Sequence, residues 1–165
     1  MTERFTDALG VPFDGYQLLL PPSVHDWDVG TRCKDPTLLR TFAALWDYCQ
    51  LCGRAPSGMG PDRLHIHHLV PNWRRAHEHT CLMRLCSSPD PQFSCHDWAH
   101  AKFVARLPVL LWAKWRVERY ESNETLNWAR LALLYGKHLP RPQPDDRWLA
   151  VFARNRRIPA WVTGY

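Results

Sequence analysis

Two cysteines spaced Cys49-x-x-Cys52 are followed by the run His65-Ile66-His67-His68, then by Cys81 and Cys86, then by Cys95-His96 and His100. Seven of the nine histidines and five of the six cysteines lie between Cys49 and His100, a crowding that points to metal. Thiolate and imidazole are the donors zinc prefers, and four of them in a tetrahedron close a structural site. The stretch holds more donors than one such site can use. A second centre, with coordination positions left open for chemistry, is therefore expected beside the first.

The elements that must position these groups can be read from pattern. Residues 1–34 are broken by Gly10, Pro12, Gly15, Pro21, Pro22 and Gly30 and read as an irregular N-terminal arm. Asp35-Pro36 reads as a helix cap with proline in the first turn, opening a helix over Thr37 to Tyr48 with Leu39, Phe42, Ala43 and Trp46 on one face. That helix delivers the chain to Cys49. A loop from Arg54 to Asp62 leads to a strand over Leu64 to Val70. Asn72 to Thr80 is a polar, basic loop, and Cys81 to Leu85 reads as a second short strand or an extended link. A helix beginning near Cys95 sets His96 and His100 one turn apart, on one face, where both rings can reach one ion.

Pro108 is expected to interrupt that helix. Val109 to Glu121 resumes the pattern, with Leu110, Leu111, Trp112 and Trp115 apolar and Lys114, Arg116, Glu118 and Arg119 polar. Ser122 or Asn123 then caps a further helix closing at Gly136, and the prolines at 140, 142 and 144 lead to a last helix over Asp146 to Arg154 with a basic tail. Trp46, Trp112, Trp115 and Trp128 fall at helical spacing among apolar neighbours and are expected in the core. The expected class is α+β, mainly helical. It divides into an arm (1–34), a metal-binding core (35–106) and a C-terminal helical extension (107–165) packed with that core as one domain.

Composition sets further bounds. The 165-residue chain carries a formal charge of +5 and a pI near 9.0, which favours a polyanionic partner without requiring one. No stretch has the length and apolarity of a membrane span, and Met1-Thr-Glu-Arg leads into no apolar signal segment, so a cytoplasmic protein with reduced, metal-bound thiols is expected.

In order, a Cys-x-x-Cys turn, a strand with paired histidines, a loop, a Leu-x-x-Leu-Cys strand and a Cys-His helix start resemble the HNH endonuclease family. The matching residues are Cys49-Gln-Leu-Cys52-Gly53, His67-His68-Leu69-Val70-Pro71, Leu82-Met83-Arg84-Leu85-Cys86 and Cys95-His96. They span Cys49 to Lys102, about a third of the chain. The resemblance implies a ββα-metal core beside a zinc held by four cysteines. It implies Cys49, Cys52, Cys86 and Cys95 as the structural zinc ligands, with Cys81 a competitor for one place. It further implies that His67, with His96, His100 or both, holds a catalytic divalent ion such as Mg²⁺, Mn²⁺, Ni²⁺ or Zn²⁺, and that His68 is the general base.

The sequence departs from the family at three points. Cys81 stands where the family has an asparagine that ties the loop bearing the base to the hairpin, and His79 is a candidate to replace it. A Gly-Gly pair of the loop is absent. Cys86 and Cys95 are more widely spaced than usual. Trp73, Arg74, Arg75, Arg84 and Lys102 are the candidate DNA contacts, although arginines in a basic loop are more often a solvated face. The expected activity is metal-dependent hydrolysis of phosphodiester bonds in DNA. The competing expectation is a catalytically degenerate zinc module that binds DNA or a protein partner, within a phage or mobile-element DNA-processing complex.

Overall fold

A computed structural model describes residues 35–70, 76–120, 126–136 and 138–156. The expected N-terminal arm, Cys33, the loop residues Trp73, Arg74 and Arg75, the cap candidates Ser122 and Asn123, and Arg157 of the basic tail lie outside them. The architecture is α+β and mainly helical: α1 (Pro36–Leu45), β1 (Leu64–His68), β2 (Leu82–Cys86), α2 (Cys95–Ala101), α3 (Phe103–Tyr120), α4 (Trp128–Tyr135) and α5 (Asp146–Asn155).

Asp35 caps α1, accepting a hydrogen bond from the Thr37 amide at 2.8 Å, with Pro36 behind it. The helix stops at Leu45, short of the expected Tyr48, because Trp46 turns extended (φ −130°). That turn lets Trp46 and Tyr48 meet edge to face inside the core, 5.8 Å between centroids, and brings Cys49 into the metal-binding turn.

β1 and β2 pair antiparallel, with Leu64 opposite Cys86, His65 opposite Leu85, His67 opposite Met83 and His68 opposite Leu82. Strand alternation puts His65 and His67 on one face, and His68 on the other. The Cys49–Cys52 turn joins β2 through Gln50, whose amide donates to the Arg84 carbonyl (2.9 Å) and whose side-chain oxygen accepts from the Arg84 amide (2.8 Å).

Ser94 caps α2, so that helix starts at Cys95 as expected. The break expected at Pro108 falls instead at Lys102 (φ −144°, ψ 60°), and α3 runs through the proline. Pro108 deprives only the Val104 carbonyl of a partner, and Val104 is exposed, where water can take that carbonyl. α3 also crosses the expected boundary between core and extension. Its middle, Leu110 to Glu118, is buried on every side, including Lys114, Arg116 and Glu118, where the sequence pattern suggested a polar face. Trp46, Trp112, Trp115 and Trp128 are core residues.

α4 is capped by Asn127 rather than Ser122 or Asn123, because the Thr80 hydroxyl holds both the amide and the carbonyl of Asn127 (2.7 and 3.1 Å). It closes at Gly136 in the left-handed conformation, as expected. Asp145 caps α5. Among the described residues no helix is long and apolar enough to cross a membrane.

Candidate metal centres

Cys49, Cys52, Cys86 and Cys95 come from three places, the turn after α1, the end of β2 and the first residue of α2. Their four sulfurs lie within 4.8 Å of one another, all buried. A tetrahedron with metal–sulfur bonds of about 2.3 Å has edges of about 3.8 Å, and the Cys52 and Cys86 sulfurs stand 3.7 Å apart. These cysteines could hold a metal such as zinc. Cys81 belongs elsewhere: it ends the 3₁₀ turn just before β2, at the opposite end of that strand from Cys86, and its thiol is taken up by the carbonyls of Ala76 and Glu78. Among the described residues every cysteine is a free thiol or thiolate, none in a disulfide.

So many thiols in one place compete for protons. Hydrogen bonds from Cys49, Cys52 and Cys95 hold Cys86 far below the usual thiol range, while burial pushes Cys49 well above it. A bound cation resolves that competition by letting all four ionise. The turn itself needs Gly53, which has φ +76° and donates its amide to the Cys49 carbonyl at 2.8 Å. A Cβ there would meet Arg156 Cγ at 3.0 Å and the Phe152 carbonyl oxygen at 3.2 Å. α5 thus closes over the turn, with the Asn155 amide donating to the Cys52 carbonyl at 2.8 Å. Arg156, from the basic tail, lies 3.5 Å above the Tyr48 ring.

A second group forms on the face of β1 toward α2. One ring nitrogen each of His67, His96 and His100 lie within 4.8 Å of one another. The Nε2 atoms of His96 and His100 are 3.2 Å apart, close to the edge of about 3.3 Å that metal–nitrogen bonds of 2.0–2.1 Å would give. His67 is buried, His96 half-buried and His100 exposed, so the group opens to solvent on one side. Burial, with the neighbouring histidines, holds the His96 ring below the usual imidazole range and keeps it in the neutral form that can bind a cation.

His65 stacks on His96 at 4.6 Å but commits its Nε2 to the Ser87 hydroxyl at 2.9 Å, a supporting place rather than a ligand's. His68, on the other strand face, has the His77 ring 6.1 Å away. The loop carrying His77 is tied from several sides. The Cys81 thiol donates to the carbonyls of Ala76 (3.0 Å) and Glu78 (3.2 Å). Arg130 of α4 grips the Glu78 carboxylate with two nitrogens. Lys114 donates to the His79 carbonyl at 3.1 Å. His79 does not take the tethering place foreseen for it: its ring packs on Phe42 and reaches the Leu38 carbonyl of α1.

Of the candidate DNA contacts in the described residues, Arg84 is half-buried on β2 and Lys102 is exposed at the break after α2. The buried set of Gln50, Lys114 and Glu118 has no signature in the residue pattern. There, the Gln50 amide donates to Glu118 Oε1 at 3.0 Å and Lys114 pairs with the same carboxylate, linking the cysteine turn, α3 and the loop. Compared with protein-family models, with curated proteins and with solved structures, the chain matches none.

Proposed function

We propose that this chain is a metal-dependent endonuclease of the HNH type that hydrolyses phosphodiester bonds in DNA, with β1, β2 and α2 as a ββα-metal core. One observation carries the reading. His67 from the strand and His96 and His100 from the helix converge on a point open to solvent, separate from a closed four-cysteine cluster. Three protein donors with an open side is the form of a catalytic centre, and four closed sulfurs the form of a structural one.

In this reading His67, His96 and His100 hold the ion, which supplies Lewis-acid stabilisation of the charge on the scissile phosphate and of the departing 3′ oxygen. Mg²⁺, Mn²⁺, Ni²⁺ and Zn²⁺ all suit such a centre. His68, the next residue along β1, takes the proton from the attacking water, since a neutral imidazole is a competent base at neutral pH. The loop opposite His68 is held by Cys81, Arg130 and Lys114, so the base works against a fixed wall. Cys81 stands in the asparagine place, and its bonds to the loop carbonyls favour a working enzyme over a degenerate zinc module.

The test is plasmid nicking by the purified protein with each of those ions. Wild type is expected to nick or linearise the plasmid, and His68→Ala to lose that activity while keeping its cysteine-bound zinc. Failure of wild type to cut with every ion would leave the binding module as the better description.

A further inference from the structure

On α2, His96 and His100 occupy one face. Asp97, Trp98 and Ala101, on the adjoining face, wall a cleft of about 590 Å³ whose far side is α5. The volume is that of a small-ligand pocket. Its walls are aromatic: Trp98 and Trp148 meet at 5.1 Å, and Phe93 stands at the mouth, 65% exposed. Four arginines and one acid, Asp97, line it. Arg54 is spent on Asp62 and the Ser87 carbonyl, and Arg106 lies over the Trp98 ring at 4.4 Å. Arg147, which lies 5.4 Å from the Trp148 ring centroid, and Arg154 are both exposed and stand at the rim as cations for an incoming ligand.

A flat apolar group joined at short range to an anion satisfies this combination, and a nucleotide is such a group. Rings stack on aromatic walls whatever their sequence, while guanidinium groups take the phosphate. The cleft is also in reach of a strand bound at the histidines. Both lie on one short helix, whose width of about 10–12 Å corresponds to about three nucleotides at the 3.4 Å advance of a B-form strand. A base inside a duplex cannot enter; it must be unpaired.

We infer that this cleft receives an unpaired nucleotide of the strand being cut, so that the substrate is DNA with unpaired residues beside the scissile bond. The inference rests on the nuclease reading for its strand but can fail apart from it. Binding is measured by fluorescence anisotropy with full-length His68→Ala protein, comparing a labelled single strand of about twenty nucleotides with the blunt duplex of the same sequence. The single strand is expected to bind about tenfold more tightly, the effect of one stacked base. Phe93→Ala should reduce that preference and Arg147→Glu with Arg154→Glu should abolish it, whereas Arg40→Glu, on exposed α1, should leave it unchanged. Zinc content and circular dichroism check that the variants fold.

Equal or tighter binding of the duplex overturns the inference, as does a preference that survives the double charge reversal. So does an oligoglutamate peptide that competes as well as an oligonucleotide of equal charge, which would make the cleft a protein-docking site. Cleavage by wild type without a single-strand preference sinks the cleft proposal alone. A single-strand preference without cleavage under any ion sinks the nuclease reading and leaves the cleft as a nucleic-acid site.

Discussion

The Cys81 sulfur lies 3.0 Å from the carbonyl oxygen of Ala76, to which it donates, and so fastens the loop beside His68 to the start of β2. The same thiol reaches the Glu78 carbonyl, and the residue is fully buried. Cys81→Ala removes both bonds and leaves a small void, an expected loss of about 1–2 kcal/mol, or a melting temperature lower by about 3–6 °C. Cleavage should fall further than stability does, by about tenfold, because the loop faces the proposed base. Cys81→Ser, which keeps a donor, should recover most of the rate. An alanine variant that cuts plasmid at the wild-type rate would show that the thiol holds nothing that matters to the base.

Alkali should reveal the same thiol. Burial pushes Cys81 up to about 11 from the ordinary 9.0. A raised folded value means that its contribution to stability is complete below pH 9 and is lost as the pH rises toward 11. Urea midpoints measured across that window are expected to fall more steeply in wild type than in Cys81→Ser. Parallel curves for the two proteins would contradict the assignment.

The four-cysteine cluster predicts a sharp division among the thiols. Serine at Cys49, Cys52, Cys86 or Cys95 should lower the bound zinc and unfold the chain at moderate temperature, since structural zinc sites contribute about 10–16 kcal/mol of apparent binding energy to folding. Serine at Cys81 should leave the zinc content of the purified protein untouched. Metal analysis of the five variants decides it, and equal zinc loss in Cys81→Ser would move that residue into the cluster.

The donors were legible because their chemistry is local: two cysteines in one turn and two histidines a helical turn apart announce themselves whatever the rest of the chain does. The choice of Cys86 over Cys81 was not decided in the sequence. It follows from the run of β2, whose last residue, Cys86, stands among the other three sulfurs while Cys81 precedes its first. Lys114, Arg116 and Glu118 looked like a wet face because periodicity describes one helix at a time and cannot see what packs on its other side. Pro108 looked like a stop because a proline's cost depends on which carbonyl loses its partner, and here that carbonyl belongs to exposed Val104. Asn127 was missed as a cap because Thr80, distant in sequence, selects it.

The histidine group should bind a second ion through residues of unequal structural weight. His100 is exposed, so His100→Ala is expected to keep the fold and the cysteine-bound zinc while weakening the second ion by tenfold or more, about 1.4 kcal/mol. His67 is 1% exposed, and His67→Ala should both abolish that binding and lower stability by about 1–3 kcal/mol through the void it leaves. Calorimetric titration of the zinc-loaded protein with Ni²⁺ or Mn²⁺ reads both. Wild-type affinity in His100→Ala would remove it from the ligand set.

Lys114 and Glu118 are 0% and 1% exposed, an ion pair sealed inside α3 with Gln50 donating to the same carboxylate. Two charges in that position cost much of their attraction in lost hydration, so the pair is a poor source of net stability, yet removing one partner strands the other. Lys114→Met should therefore cost about 3–5 kcal/mol, since it takes the cation from the Glu118 carboxylate and the donor from the His79 carbonyl. Glu118→Leu should cost a similar amount, since it takes the carboxylate from a buried ammonium. The double variant removes both charges of the pair and is expected to be more stable than the sum of the two losses allows, by at least about 2 kcal/mol of coupling. Urea unfolding of the four proteins measures that cycle. Strict additivity would mean that the two side chains are not coupled, and that the tie between the cysteine turn, α3 and the loop beside His68 does not run through this carboxylate.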